Sequence, residues 1–177
     1  VNLHQLLSKK SLLKDAVITH EQVLPNPEGF QQGSWSPIRH IRAEDLAKLS
    51  WGQFEALSAE LMLREFQAEN CWLTHFGGDY GADVILIRGI SATLIQCKHT
   101  KTGAYDGYRA VTEVYSARVK YQEELGKEIQ SLLFVTNATR LSTKTRDVAR
   151  QYSVQVLDGK SLSDLLDKHP VTLADVL

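Results

Sequence analysis

The chain has 177 residues, 43% hydrophobic and 23% charged, with a formal net charge of −1. That length suits one domain with a short appendage, and the composition excludes wholesale disorder and a global basic field. No apolar run exceeds four residues, far short of the ~18 that cross a bilayer, no secretory leader is visible, and two cysteines cannot build a disulfide scaffold or a four-cysteine zinc site.

Leu3, Leu6, Leu7 and Leu13 lie near helical spacing, with Asn2 as a possible cap, which predicts a short amphipathic helix. Pro25, Pro27, Gly29, Gly33 and Pro37 then make an irregular arm, pinned by Phe30 and Trp35. The expected organisation is an arm or linker over 1–48 and a folded domain over 49–177. The first fifty residues read as an approach to that domain, and the chain as a piece of a longer protein. Ser50 caps a helix predicted over 51–66. Short strands follow at 71–74, 82–87 and 92–99, with the glycine-rich segment Gly77-Gly78-Asp79-Tyr80-Gly81 before the second. The second and third form a hairpin around Arg88-Gly89. A helix over 108–124, a buried strand at 131–136, a helix from the Ser142 cap to about 151, a strand at 154–157 and a helix over 161–168 complete the order. This predicts an α/β fold, a mixed sheet with helices on its faces.

Side chains alternate along a strand, so Gln96 and Lys98 share one face and Ile95 and Cys97 the other. Asp83 shares its face with Ile85 and Ile87, and the hairpin brings the two strands together. Asp83, Gln96 and Lys98 therefore converge at one end of the sheet. An acid, an amide oxygen and an ammonium suit metal-assisted phosphodiester hydrolysis: hard oxygens hold Mg²⁺, the metal activates water, and the lysine orients it or meets developing charge. The same residues also fit an ordinary amphipathic hairpin with a solvated polar face. Winding 51–66 at 100° per residue puts Glu55 within the stripe of Trp51, Ala59, Met62 and Phe66, with Gln53, Glu60 and Arg64 opposite. A carboxylate there needs a metal or a cationic partner.

Between positions 96 and 150 ten Lys or Arg face six Asp or Glu. Lys144, Arg146 and Arg150 fall on one predicted helix, and with Lys101 they are candidate DNA contacts; a solvated helix face is the other reading. His75 and His99 read as loop histidines, since six histidines without paired spacing do not suggest zinc. Cys97 reads as core.

Phe54-Glu55, then Gly78-Asp79-Tyr80-Gly81-Ala82-Asp83-Val84, then Ile95-Gln96-Cys97-Lys98 resemble the Mrr-like restriction endonuclease domain of the PD-(D/E)xK superfamily. Val111-Thr112-Glu113-Val114, Leu133-Phe134-Val135-Thr136-Asn137 and Val156-Leu157-Asp158-Gly159, followed by Leu162, Leu165 and Leu166, continue the resemblance in order. It implies a restriction-endonuclease-like central mixed β-sheet flanked by helices and Mg²⁺-dependent cleavage of DNA, with Mn²⁺ as a substitute. Asp83 matches the metal-binding aspartate, and Gln96 the position that is Glu or Asp in most of the superfamily. Lys98 matches the catalytic lysine, Glu55 the helix glutamate near the metal, and Asp79 a loop-ordering aspartate. Tyr80 and His99 depart from the small or basic residues usual at their positions. The resemblance implies the effector part of a cytoplasmic restriction or antiphage defence protein, working as a dimer or higher homo-oligomer. Fifty residues cannot hold a winged-helix reader, so recognition falls to another recognition or sensor domain or to a partner protein. The alternative is a catalytically inactive module of the same fold that binds DNA or a partner.

Overall fold

The β-branched and leucine-rich runs of the sequence form the sheet. The protein is described by a computed structural model covering residues 39–74 and 80–176 and the backbone of 13–17. The leucines at 3, 6 and 7, the proline-containing arm, His75 and Asp79 lie outside the described residues.

A six-stranded sheet has the order β1-β2-β3-β4-β6-β8, with β1 at Leu13–Val17, β2 at Asn70–Thr74, β3 at Val84–Arg88, β4 at Ser91–Lys98, β6 at Glu128–Thr136 and β8 at Gln155–Leu157. The first four strands pair antiparallel and the last three parallel, so the sheet is mixed. The change of direction falls at β4, the lysine strand. The two-residue strands β5 (Ala104–Tyr105) and β7 (Arg140–Leu141) pair separately in parallel. Helices α1 (Trp51–Glu65), α2 (Arg109–Leu125), α3 (Thr143–Gln151) and α4 (Gly159–Lys168) cover the faces. Among the described residues no helix is long and apolar enough to cross a membrane.

Alternation splits the core in two. Val84, Leu86, Ile95, Cys97, Leu133 and Val135 pack on one side with residues of α1 and α4. Ile85, Ile87, Leu94, Leu132 and Phe134 pack on the other with α2. Ile41, Leu46 and Leu49 join the first core beside Val171, Leu173 and Val176, so residues 39–49 contribute to the domain interior.

The helix starts follow the cap residues. Ser50 Oγ accepts from Gln53 N and Gln53 Oε1 accepts from Ser50 N, a reciprocal box. Ser142 and Asp158 cap α3 and α4 by accepting from the amides of Thr145 and Ser161, without the reciprocal bond. Two expectations change. Leu13 belongs to a strand whose antiparallel register with β2 covers that strand's open edge, and not to a helix. Gln53 and Glu60 are buried while Trp51 is exposed, the reverse of simple winding. The reason is that α1 is enclosed on several sides, where polar side chains survive if paired. Gln53 closes the capping box, and Glu60 binds Arg64, whose guanidinium also donates to the Pro170 carbonyl.

Candidate active site

The β3–β4 ladder runs from Arg88↔Ser91 to Val84↔Ile95, and one further bond, Asp83 N to Ile95 O at 2.8 Å, continues it. There the backbones stop pairing and a side chain takes over. Asp83 Oδ2 accepts from the Cys97 amide and from Gln96 Nε2, both at 2.6 Å. Asp83 is itself clamped, because its carbonyl accepts from Thr74 N at 2.9 Å and the neighbouring Ala82 carbonyl from Thr74 Oγ1 at 2.6 Å. Asp83 and Gln96 are both buried, Gln96 to 2% exposure. Gln96 Oε1 is buried with no hydrogen-bond partner among the described residues. A solvent-shielded amide oxygen without a donor is an unusual expense in a folded protein.

Lys98 stands two residues further on the same face and is about one-third exposed. Its backbone is locked on the parallel side, where Thr136 Oγ1 donates to the Lys98 carbonyl at 2.7 Å. Asn137 holds both the N–H and the carbonyl of Thr100 at 2.7 Å. Half-buried His99 bonds the Leu46 carbonyl through Nε2 at 2.8 Å, so that nitrogen carries the proton, and its ring lies 5.4 Å from that of Phe54. These contacts hold the strand exit and leave the lysine to project from a rigid base. Its ion-pair partner is Glu113 of α2, with Nζ 3.3 Å from Oε2.

The structure thus joins Asp83 to Gln96 directly and sets Lys98 beside Gln96. Glu55 comes from the other side, on the helix that packs against Cys97. It is half-buried and interacts with its surroundings. Burial pushes the Cys97 thiol well up, and the negative charges of Asp83 and then Glu55 push it further. Both acids are therefore felt at one point near the end of β4. Among the described residues no three His, Cys, Asp or Glu side chains gather as a metal-binding group. What fits a hard cation is the pairing of a buried carboxylate with the unpartnered amide oxygen of Gln96.

The basic candidates divide. Thr145 and Ala149 turn inward, which leaves Arg146 and Arg150 together on one flank of α3 and Lys144 on the other. Arg150 is exposed and 3.3 Å from Asp147. Lys144 Nζ lies 4.3 Å from the ring of Tyr108, at the start of α2. Lys101 is exposed in the loop after β4.

Glu113 was not foreseen as a site residue. It lies three residues after buried Ala110 and four before buried Ala117, so winding α2 would have set it beside the inward stripe.

A protein-family model described as restriction endonuclease, of the Mrr catalytic type, matches residues 46–166. Among solved structures, the protein of unknown function AF1548 aligns with a TM-score of 0.54 at 16% identity, covering 67% of this chain and 66% of that one. Protein VC1899 from Vibrio cholerae aligns with a TM-score of 0.46 at 17% identity, covering 66% of this chain and 32% of that one. The first likeness is one of fold. No curated protein matches the sequence.

Proposed function

The chain belongs to the Mrr-type restriction endonuclease family, and from that premise we propose that it hydrolyses DNA phosphodiester bonds with a divalent metal, Mg²⁺ or, in its place, Mn²⁺. The observation that carries the reading is the buried Asp83–Gln96 pair with its unpartnered Oε1, next to a rigidly based lysine. In this reading Asp83, Gln96 Oε1 and Glu55 hold the metal. When bound, it polarises the phosphate and lowers the pKa of a coordinated water. Lys98 orients the attacking water and meets the charge that builds on the phosphate. Lys101, Lys144, Arg146 and Arg150 contact DNA phosphates, and Asp79 orders the loop before Asp83. Residues 49–177 carry the nuclease site, and residues 39–48 pack into the same core and belong to the unit, so the boundary expected at 48 falls too late. Double-strand cleavage needs two such sites, hence a dimer or higher assembly. The biological setting is the effector end of a cytoplasmic restriction or other defence protein, with a further domain or partner protein choosing the target.

The test is plasmid cleavage over a range of protein concentrations, with Mg²⁺ and with chelator. Asp83→Ala removes metal binding, measured by calorimetry. Lys98→Ala removes turnover and leaves metal binding largely intact. Full cleavage by either purified variant refutes the assignment, and a parent protein that binds DNA without cutting it supports the inactive-module alternative.

A further inference from the structure

The carboxylate of Glu113 is placed with more care than a surface residue needs. Its Oε1 accepts from Arg109 Nε at 2.7 Å, one helical turn earlier, while Arg109 itself is 86% exposed. Its Oε2 is buried, has no hydrogen-bond partner among the described residues, and lies 3.3 Å from Lys98 Nζ. The backbone below it is fixed by close packing: Gly81 has φ +101°, and a Cβ there would come 2.6 Å from the Glu113 carbonyl oxygen. One glutamate therefore touches the segment that leads to Asp83, the lysine of β4 and an exposed arginine at the protein surface.

Charge bookkeeping on the β4 face gives this placement a purpose. Gln96, two residues before Lys98, is neutral. Asp83 spends one oxygen on two donors. Glu113 is the carboxylate that pairs with Lys98 among the described residues. A lysine stem has four rotatable bonds, so an ammonium without a fixed anion samples many positions. We propose that Glu113 is the positioning residue of this site: it holds the Lys98 ammonium in one place over the Asp83–Gln96 pair, and Arg109 keeps the glutamate in register. The inference rests on the phosphodiesterase reading. It adds an acid from α2 to a site otherwise built from β3, β4 and α1.

The experiment compares the parent with Glu113→Gln, a near-isosteric change that removes the charge, and with Glu113→Asp, which keeps the charge on a shorter arm. Three quantities are read: kcat with Mg²⁺, DNA affinity with Ca²⁺ in place of Mg²⁺, and the rate at which an acylating reagent labels Lys98, followed by mass spectrometry. Glu113→Gln is expected to lower kcat about 100-fold, the scale of losing one preorganised electrostatic contact. DNA affinity should stay within about threefold, and Lys98 labelling should rise several-fold as the ammonium is released. Glu113→Asp should fall between parent and Gln in both rate and labelling. A parent that cleaves while Glu113→Gln cleaves equally well overturns the inference and leaves the nuclease reading standing. A lowered kcat with unchanged Lys98 labelling also overturns it, because the glutamate would then act by another route. A parent without cleavage in Mg²⁺ or Mn²⁺ removes the nuclease reading, and this inference with it.

Discussion

Replacing Gln96 by glutamate tests the central pair by stability as well as by activity. Gln96 Nε2 donates to Asp83 Oδ2 at 2.6 Å, and both residues are buried. In Gln96→Glu an oxygen replaces that nitrogen, so two carboxylates face each other at the same separation. Two unit charges 2.6 Å apart repel by about 6 kcal/mol at an effective dielectric constant of about 20. Taking up one proton is cheaper. At pH 7.5 it costs about 4 kcal/mol, from about 1.4 kcal/mol per unit and an ordinary glutamate pKa of about 4.3. The shared proton then rebuilds the hydrogen bond as O–H···O⁻, for which 2.6 Å is a normal length. The folded variant therefore binds more protons than its unfolded chain, and its stability falls as pH rises. We expect a loss of about 4 kcal/mol at pH 7.5 in chelator, shrinking to about 1 kcal/mol at pH 5. Mg²⁺ should displace the proton and return about 2.7 kcal/mol at 100 times its dissociation constant. Cleavage should be at least partly retained. Urea denaturation at the two pH values, with and without Mg²⁺, measures all of this. Gln96→Leu is the control: it forfeits the donor at a roughly pH-independent cost of about 1–3 kcal/mol and should lose most activity. If Gln96→Glu unfolds with the parent at pH 7.5 in chelator, the two side chains are not in contact and the site is wrong at that corner.

The basic flank of α3 should be separable from Lys144. Reversing Arg146 and Arg150 to Glu should weaken DNA binding alike for all sequences and reduce the salt slope by about 2, whereas an unchanged slope restores the solvated-face reading. Both thiols should resist alkylation in the native protein at pH 8 and react after denaturation. Burial pushes Cys71 up to about 12 and Cys97 well above its ordinary range, so labelling of either in the folded state would contradict the packing. Gly81→Ala meets both an unfavourable positive φ and the Glu113 carbonyl, and should destabilise by about 2–4 kcal/mol in chemical denaturation. Unaltered stability would refute that close approach.

Much of this was readable because the signals were local. Ser50, Ser142 and Asp158 each supply an oxygen to an amide three residues on, so the starts of α1, α3 and α4 sit beside short-range chemistry. The β3–β4 hairpin and the shared face of Asp83 and Gln96 follow from period-two alternation and a glycine turn. What failed was set by tertiary surroundings. Winding α1 assumes one buried side, yet that helix is enclosed by the sheet, α4 and residues 39–49, so Glu60 is inside with Arg64 and Trp51 is out. Strands β5 and β7 have two residues each and no period to detect. Lys144 parts from Arg146 because Thr145 and Ala149 turn inward between them, and Thr145 is a small polar residue that carries no apolar signal. Thr145 is buried because its Oγ1 donates to the Gly107 carbonyl, a partner 38 residues away.

The amide at position 96 also bears on how the site is kept in shape. Where strands part next to a buried carboxylate, something must donate to it. Here a main-chain amide and a side-chain amide both do so, at 2.6 Å. Gln96 can donate through Nε2 and still present Oε1, which a carboxylate cannot do without first acquiring a proton. The pair is thus preorganised by neutral donors, with no cation required to suppress repulsion, and one lone-pair-bearing oxygen is left over inside the protein. With an acid at 96, the same geometry would hold only when a metal or a proton neutralised it. On the proposed metal-dependent reading, the neutral residue exchanges some metal affinity for a site whose form is independent of metal, and negative charge near Lys98 has to arrive from another element. Glu113, reaching in from α2 with Arg109 behind it, stands where that charge is needed.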